Sequence, residues 1–288
     1  MAAVHRSFER QVRLIVRNAL REDLGSGDIT TESLIPSGLD GRGRILSRSE
    51  GVLAGMEVAR VVFGEVDPLL KWTGLLGDGS SLKQGSVLAA VEGKAAGILS
   101  AERVALNFLQ RLCGIATLTA QYVSAVSGMK AVIVDTRKTT PGLRLLEKYA
   151  VRVGGGRNHR GSLGDGVLIK DNHLAALRHR GAGLEEAIEK ARKHAPHTLK
   201  IEIEVETVEQ AVRALTAGAD IILLDNMSLD DMRRVVEVVR GQALIEASGG
   251  VTLETVRAVA ETGVDFISIG ALTHSAVALD ISLELEYS

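Results

Sequence analysis

Six short polar strings recur through the second half of the chain: Asp135-Thr136-Arg137-Lys138, Lys170-Asp171-Asn172-His173, Glu204-Val205-Glu206, Asp225-Asn226, Ser248-Gly249-Gly250 and Gly270-Ala271. Each closes an apolar run, at 131–134, 167–169, 201–205, 221–224, 243–247 and 266–269. In parallel α/β folds the carboxyl ends of the strands carry the ligand, so six polar endings in register read as one site. Any single polar ending is explained by the wetness of loops; six together point to chemistry.

Charge divides these endings into two arms. Between 137 and 170 stand eight basic residues (Arg137, Lys138, Arg144, Lys148, Arg152, Arg157, Arg160, Lys170) against Glu147 and Asp165, a local charge of +6. Between 201 and 231 eight acidic residues face Arg213 alone, a local charge of −7. Arginine forks suit planar carboxylates and phosphates, and lysine adds a point charge. A multiply anionic substrate is implied on one side, and hydroxyls or a divalent cation on the other.

Not every charge belongs to the site. Arg144, Lys148 and Arg152 are spaced four apart, as on a solvated helix face. Arg137, Lys138, Arg160 and Lys170 sit at strand ends or in a loop, and Gly154-Gly155-Gly156 gives a flexible turn before Arg157-Asn158-His159-Arg160. His159 is read either as a ligand or as a satisfied structural histidine. Lys200, Glu202, Glu204 and Glu206 share one strand face by period two. In a doubly covered parallel sheet such charges must pair or meet a ligand, so Lys200 and Glu202 are expected to neutralise each other near the barrel floor, leaving Glu204 for function. Ser248-Gly249-Gly250 and Ile269-Gly270-Ala271 each precede a helical segment whose amides would point at an anion, and His274 is placed to assist a phosphate or to cap a turn.

The elements that must position these residues follow from periodicity. From 131 onward, short apolar runs alternate with amphipathic helix-length segments, the βαβ signature of a parallel sheet. The stretch is too short for eight units, so an open six-stranded α/β barrel is expected, with a doubly wound sheet as the competing fold. Ahead of it, 100–126 reads as a long helix with Val104, Phe108, Leu109 and Leu112 on its apolar stripe and Arg103, Asn107, Gln110 and Gly114 opposite. Short β-like runs at 44–47, 52–54 and 87–91 suggest a small α+β domain. The chain opens with an amphipathic helix (Phe8, Val12, Ile15, Ala19) ending near Gly25 and expected to pack on a sheet.

Composition narrows the classes. The 288 residues carry 45% hydrophobic and 24% charged side chains, which excludes disordered and low-complexity classes, while 31 glycines exceed the roughly 20 of average usage. The net charge of −2 argues against a dedicated nucleic-acid binder. Cys113 stands alone, so neither an intrachain disulfide nor a cysteine zinc cage forms. Arg6, Glu9, Arg10, Arg13 and Arg17 interrupt the first apolar positions, leaving no signal-peptide core, and no apolar run reaches membrane-span length. A cytoplasmic protein is expected.

The longer strings carry a resemblance. Asp135-Thr136-Arg137-Lys138-Thr139-Thr140-Pro141-Gly142-Leu143-Arg144, Glu147-Lys148-Tyr149-Ala150-Val151, Gly154-Gly155-Gly156-Arg157-Asn158-His159-Arg160, Leu168-Ile169-Lys170-Asp171-Asn172-His173, Ala247-Ser248-Gly249-Gly250 and Gly270-Ala271-Leu272-Thr273-His274 resemble the quinolinate phosphoribosyltransferase family. So do Glu22-Asp23-Leu24-Gly25 and Gly27-Asp28-Ile29-Thr30-Thr31. The resemblance spans about 20–279. It implies a type II phosphoribosyltransferase with an N-terminal α/β-sandwich domain (1–113, joined by 273–288) and an open six-stranded barrel (114–272). The implied reaction joins quinolinate to phosphoribosyl pyrophosphate in NAD biosynthesis, with magnesium, releasing pyrophosphate and carbon dioxide and giving nicotinate mononucleotide.

Carried over by position, the resemblance implies Arg103, Thr136, Arg137, Lys138, His159, Arg160 and Lys170 as quinolinate-side ligands. It implies Glu204, Asp225, Ser248, Gly249, Gly250, Ile269, Gly270 and Ala271 for ribose and phosphates, with Lys138, Glu204 and Asp225 as the catalytic groups. No direct metal ligand is implied; magnesium is held by substrate and water near Glu204 and Asp225. Arg103 is implied to reach the site of a neighbouring subunit in a homodimer, which could assemble further. Three rivals remain at this stage: a nicotinate phosphoribosyltransferase of the same fold, a Schiff-base lyase using Lys138 or Lys170, and a noncatalytic phosphometabolite binder.

Overall fold

The computed structural model describes residues 2–287, with side chains from Phe8 onward, so Arg6 lies outside the described side chains. In chain order the elements begin with α1 (Ala2–Leu24), α2 (Ile29–Leu34), β1 (Asp40–Ser47), β2 (Gly51–Val52), α3 (Met56–Val66), β3 (Lys71–Gly74), β4 (Ser81–Leu82), β5 (Val87–Lys94) and α4 (Ala95–Ala125). They continue with β6 (Val132–Val134), α5 (Arg144–Val153), β7 (Val167–Ile169), α6 (Asp171–Arg178), α7 (Leu184–His194), β8 (Ile201–Val205), α8 (Val208–Thr216) and β9 (Ile221–Asp225). The chain ends with α9 (Leu229–Val239), β10 (Leu244–Ser248), α10 (Val256–Ala260), β11 (Phe266–Ser268), α11 (Ala271–His274) and β12 (Ile281–Tyr287). Two compact units divide these elements: residues 1–120, 139–155 and 275–288 form one, and 121–138 with 156–274 the other.

The first unit holds an antiparallel sheet ordered β12-β1-β5-β3 and a two-stranded sheet of β2 and β4. The C-terminal strand pairs along all of β1 from Gly41–Tyr287 to Ser47–Ile281, which places 275–288 in this unit. The opening helix differs from expectation: α1 packs on α3 rather than on a sheet. Its fully buried line is Val12, Val16 and Leu20, a straight i, i+4, i+8 stripe, and Glu65 of α3 accepts from both Arg13 and Arg17 at 2.7 Å.

The segment 139–155, expected with the barrel, makes its contacts with the first unit in the structure. Glu147 explains why. Its carboxylate is completely buried and accepts from Arg111 of α4 (Nη2, 2.8 Å; Nε, 3.1 Å) and from the Thr140 amide and hydroxyl at 3.0 and 2.8 Å. Gly154, at the end of α5, sits so close to α4 that a Cβ would lie 2.4 Å from the Ala116 carbonyl oxygen. The reading of Arg144, Lys148 and Arg152 as one solvated face holds at Arg152, which is exposed and lies 5.8 Å from the centroid of Tyr149, and is corrected at Lys148, which is buried; Arg144 is half-buried and donates to the Thr139 hydroxyl at 3.0 Å.

The second unit is a six-stranded parallel sheet ordered β6-β11-β10-β9-β8-β7. A doubly wound sheet would reverse direction at a switch point. Here β7 through β11 lie side by side in sequence order, and β6 joins β11 rather than β7, which is a barrel opened between its first two strands. The edge of β6 is extended by Arg157, which pairs with Val134 as an isolated bridge. Alternate residues of β8 to β11 point inward; Ile203, Ile222, Ile245 and Ile267, on the other face, are buried beneath the helices.

Breaking a buried, multiply bonded carboxylate typically costs about 3–5 kcal/mol. Glu147→Ala should therefore lower the unfolding free energy from denaturant titration by an amount of that order; a change within error would show that Arg111 and Thr140 find other partners.

Candidate active site

Fourteen of the fifteen sequence-derived site residues line one cavity of about 700 Å3 at the carboxyl edge of the barrel: Thr136, Arg137, Lys138, His159, Arg160, Lys170, Glu204, Asp225, Ser248, Gly249, Gly250, Ile269, Gly270 and Ala271. Such a volume suits a small-molecule site. The exception is Arg103, which stands exposed on α4 in the first unit and is not among the lining residues.

Local chain geometry explains how the cations arrive there. After β6 the backbone turns at Thr136, whose hydroxyl accepts the Lys138 amide at 3.0 Å. Thr273 on α11 is fully buried and donates its hydroxyl to the Lys138 carbonyl at 2.7 Å. Asp135, also fully buried, is a scaffold: its carboxylate accepts the His159 amide at 2.9 Å and the Asn158 side-chain amide at 2.6 Å. It thereby fixes the 157–160 loop against the strand end. The Arg160 guanidinium has a lowered pKa, first through burial and second through the charge of Arg137. Two like charges held together and partly desolvated favour a bound anion.

The two charge arms meet. Lys170, at the start of α6, donates to Glu204 Oε1 at 2.6 Å, so a cation of one arm pairs with a carboxylate of the other across neighbouring strands. Asp225 faces the same cavity from the end of β9. Opposite lie the glycines. Gly249 has φ +92°, and a Cβ there would stand 2.2 Å from Asn226 Oδ1, so only glycine fits. Gly270 is less tightly confined, its hypothetical Cβ lying 3.0 Å from Lys138 Cδ and 3.1 Å from His274 Nε2, side chains that would have to give way. The expected helix directly after Gly250 is corrected, since α10 starts only at Val256; α11 does begin at Ala271, directly after Gly270, and is a single turn.

Lower in the barrel the expected Lys200–Glu202 pair does not form. Lys200 is exposed, and Glu202 Oε2 instead accepts from His159 Nε2 at 3.0 Å. His159 Nδ1 accepts the Arg160 amide at 2.8 Å, so both ring nitrogens have partners within the unit. Glu246, absent from the sequence-derived set, lines the cavity beside them while only 3% exposed. Burial, and then the charge of Glu202, push its carboxyl up to about 7. Period two along β10 puts Glu246 on the same face as Ser248, the signal that could have found it.

An open α/β barrel with arginines, lysines, carboxylates and glycine amides converging on its mouth defines an enzyme class that handles polyanionic substrates. Comparisons with known proteins sharpen that class. The quinolinate phosphoribosyl transferase C-terminal domain matches residues 115–284, and the N-terminal domain matches 28–113. The chain is 44% identical over 278 residues to the probable nicotinate-nucleotide pyrophosphorylase (carboxylating) of Bacillus subtilis, covering 96% of this chain and 94% of that protein. With the corresponding enzyme of Mycobacterium leprae identity is 45% over 276 residues, covering 94% and 95%. The nicotinate-nucleotide pyrophosphorylase structure from Francisella tularensis superposes with a TM-score of 0.91 at 38% identity, covering 96% and 97%. The chain belongs to the quinolinate phosphoribosyltransferase family.

The raised Glu246 carboxyl has a signed consequence for stability. Between its ordinary range near 4.5 and its native value of about 7, the folded protein binds a proton that the unfolded chain releases. Its contribution is therefore present at low pH and is lost as pH rises through 7. Relative to the parent, Glu246→Gln should be more stable at pH 8 than at pH 5, by on the order of 2 kcal/mol in the difference. Parallel denaturant midpoints for the two proteins at both pH values would contradict this.

Proposed function

We propose that the barrel cavity joins quinolinate to phosphoribosyl pyrophosphate, giving nicotinate mononucleotide, pyrophosphate and carbon dioxide in NAD biosynthesis. The observation that carries this reading is the convergence of Arg137, Arg160 and Lys170 with Glu204, Asp225 and the Gly249–Gly250 and Gly270 turns in one cavity. Family membership supports it. Quinolinate bears two adjacent carboxylates, and the cation group offsets both; a monocarboxylate such as nicotinate would leave charge unbalanced. Arg137 and Arg160 offer paired donors to the carboxylates, while Lys138 adds charge at the junction with the pyrophosphate. Lys170 exchanges its Glu204 partner for substrate, freeing Glu204 to accept from ribose hydroxyls together with Asp225.

The reaction needs no protein nucleophile. The pyridine nitrogen attacks the anomeric carbon as pyrophosphate leaves, and the carboxylates stabilise the developing positive charge on the ribose. The loop amides at Gly249, Gly250 and Gly270 take the phosphate oxygens. The donor set of this wall is oxygen-only at Glu204 and Asp225, which suits a hard cation. Magnesium would be held there by substrate and water beside Glu204 and Asp225, and would supply charge to neutralise the leaving pyrophosphate. Once the ring nitrogen is quaternary, it accepts the electron pair released as the adjacent carboxylate departs.

The exposed Arg103, on its polar helix face, fits a role in a second copy's site, and we include a homodimer in the proposal. A cytoplasmic location fits the pathway; among the described residues no helix is long and apolar enough to cross a membrane.

Incubating the protein with quinolinate, phosphoribosyl pyrophosphate and magnesium should yield the mononucleotide and carbon dioxide; turnover of nicotinate without carbon dioxide would favour the rival of the same fold. Arg137→Ala should raise KM for quinolinate about tenfold or more while moving that for phosphoribosyl pyrophosphate far less, and equal losses would overturn the assignment. If Arg103 serves the partner's site, mixing inactive Arg103→Ala with inactive Lys170→Ala protein should regain activity through hybrid dimers. No regain after subunit exchange would contradict it.

A further inference from the structure

Exchanging a ring carboxylate for hydrogen consumes one proton, and the groups assigned above do not supply it. Arg137, Arg160, Lys138 and Lys170 are needed as cations throughout, since a lysine that gave up its proton would lose the charge that holds the substrate. Glu246 has no part in the roles given so far. It lies mid-strand on β10, two residues below Ser248, with its side chain in the cavity wall.

Glu246 belongs to a buried trio. Its Oε2 is 3.7 Å from His159 Nε2, which lies 3.0 Å from Glu202 Oε2, and one ligand-type atom from each residue falls within 4.8 Å of the others. Both glutamates are more than nine-tenths buried, and Oε1 of each lacks a hydrogen-bond partner among the described residues. The charged and polar groups facing Glu246 are Glu202 of β8, His159 of the loop after α5, Ser268 of β11 and Asp135 at the end of β6. Two carboxylates this close and this dry do not both ionise, so the pair keeps one proton.

The imidazole decides where that proton sits and what the trio is for. His159 Nδ1 accepts a backbone N–H, so the ring hydrogen is on Nε2 and is donated to Glu202. With that hydrogen bond on Glu202, the proton of the pair falls to Glu246, the carboxyl that burial and its neighbour push upward. A metal at this trio would require the reverse tautomer, with Nε2 bare and Nδ1 donating. Glu246 also lines a second cavity of about 330 Å3, together with Asn158, Lys200 and Glu202.

We propose that Glu246 is the general acid of the decarboxylation step. After pyrophosphate has left, the bond between ring carbon 2 and its carboxylate breaks and carbon dioxide departs. The electron pair stays on carbon 2 beside the quaternary nitrogen, and the Glu246 O–H delivers the proton that forms the new C–H bond. Glu246 is left as a carboxylate and regains a proton from water. The bound dicarboxylate holds the proton on Glu246 until it is needed, because a second anion there would be repelled. This inference rests on the reaction proposed above.

Single-turnover quench of Glu246→Gln, following pyrophosphate and carbon dioxide separately, tests it. Pyrophosphate release should stay near the parent rate while carbon dioxide release falls about 10²-fold, with the undecarboxylated quinolinate nucleotide accumulating. In the parent, carbon dioxide release should decline above about pH 7, and in Glu202→Gln, which removes a repelling charge, that decline should begin at lower pH. If the Gln variant does not fold, Glu246→Asp should slow carbon dioxide but not pyrophosphate. Equal slowing of both products, no slowing of either, or tight binding of Mn2+ alone that is lost in Glu246→Gln would each overturn the proposal. A parent protein that releases neither product would refute the reaction itself, a failure distinct from these.

Discussion

Two polyanions must be brought within bonding distance, and their mutual repulsion is the constraint that shapes this molecule. Unit charges 4 Å apart interact by about 1 kcal/mol in water and about 4 kcal/mol at the effective dielectric of a protein surface, so several like pairs raise a barrier no loose cleft would overcome. The barrel mouth answers with cations that are already placed and partly desolvated. The lowered pKa of Arg160 beside Arg137 is a sign of that crowding. Lys170 is held by Glu204, which keeps one cation at the cavity without leaving it unpaired.

Holding these charges in place falls to residues that touch no substrate. Asp135 ties the loop carrying His159 and Arg160 to the end of β6, and Thr273 anchors the backbone at Lys138. Gly249, which is also placed against the phosphates, leaves room for Asn226 where any side chain would collide. Sequence, turn geometry, charge placement and binding thus form one chain of cause. The rigid strand ends supply the precision that long, flexible cationic side chains lack.

Much of this was legible in the residues themselves. Apolar runs alternating with amphipathic segments identified the six barrel strands, and polar strand endings located the site, because in a parallel sheet strand direction decides where those endings gather. What was not legible depends on packing between distant segments. Glu147 looked like one acid among many bases, yet its burial against Arg111 helps tie 139–155 to the first unit. Lys148 shared a helical period with two more exposed residues, yet it is buried, since spacing along a helix does not say which side is covered. Lys200 and Glu202 shared a strand face, but the loop at His159 supplied Glu202 with a nearer partner. Glu246 was hidden inside an apolar run whose burial is itself what gives the residue its chemistry.

A crystal structure of the protein with quinolinate and a non-reactive phosphoribosyl pyrophosphate analogue addresses the central claim most directly. The account predicts both carboxylates of quinolinate on Arg137, Arg160 and Lys170, the Lys170–Glu204 contact opened, and the ribose hydroxyls turned toward Glu204 and Asp225. Quinolinate bound away from these cations, or a ribose facing them while the pyridine ring lies against the acids, would contradict it.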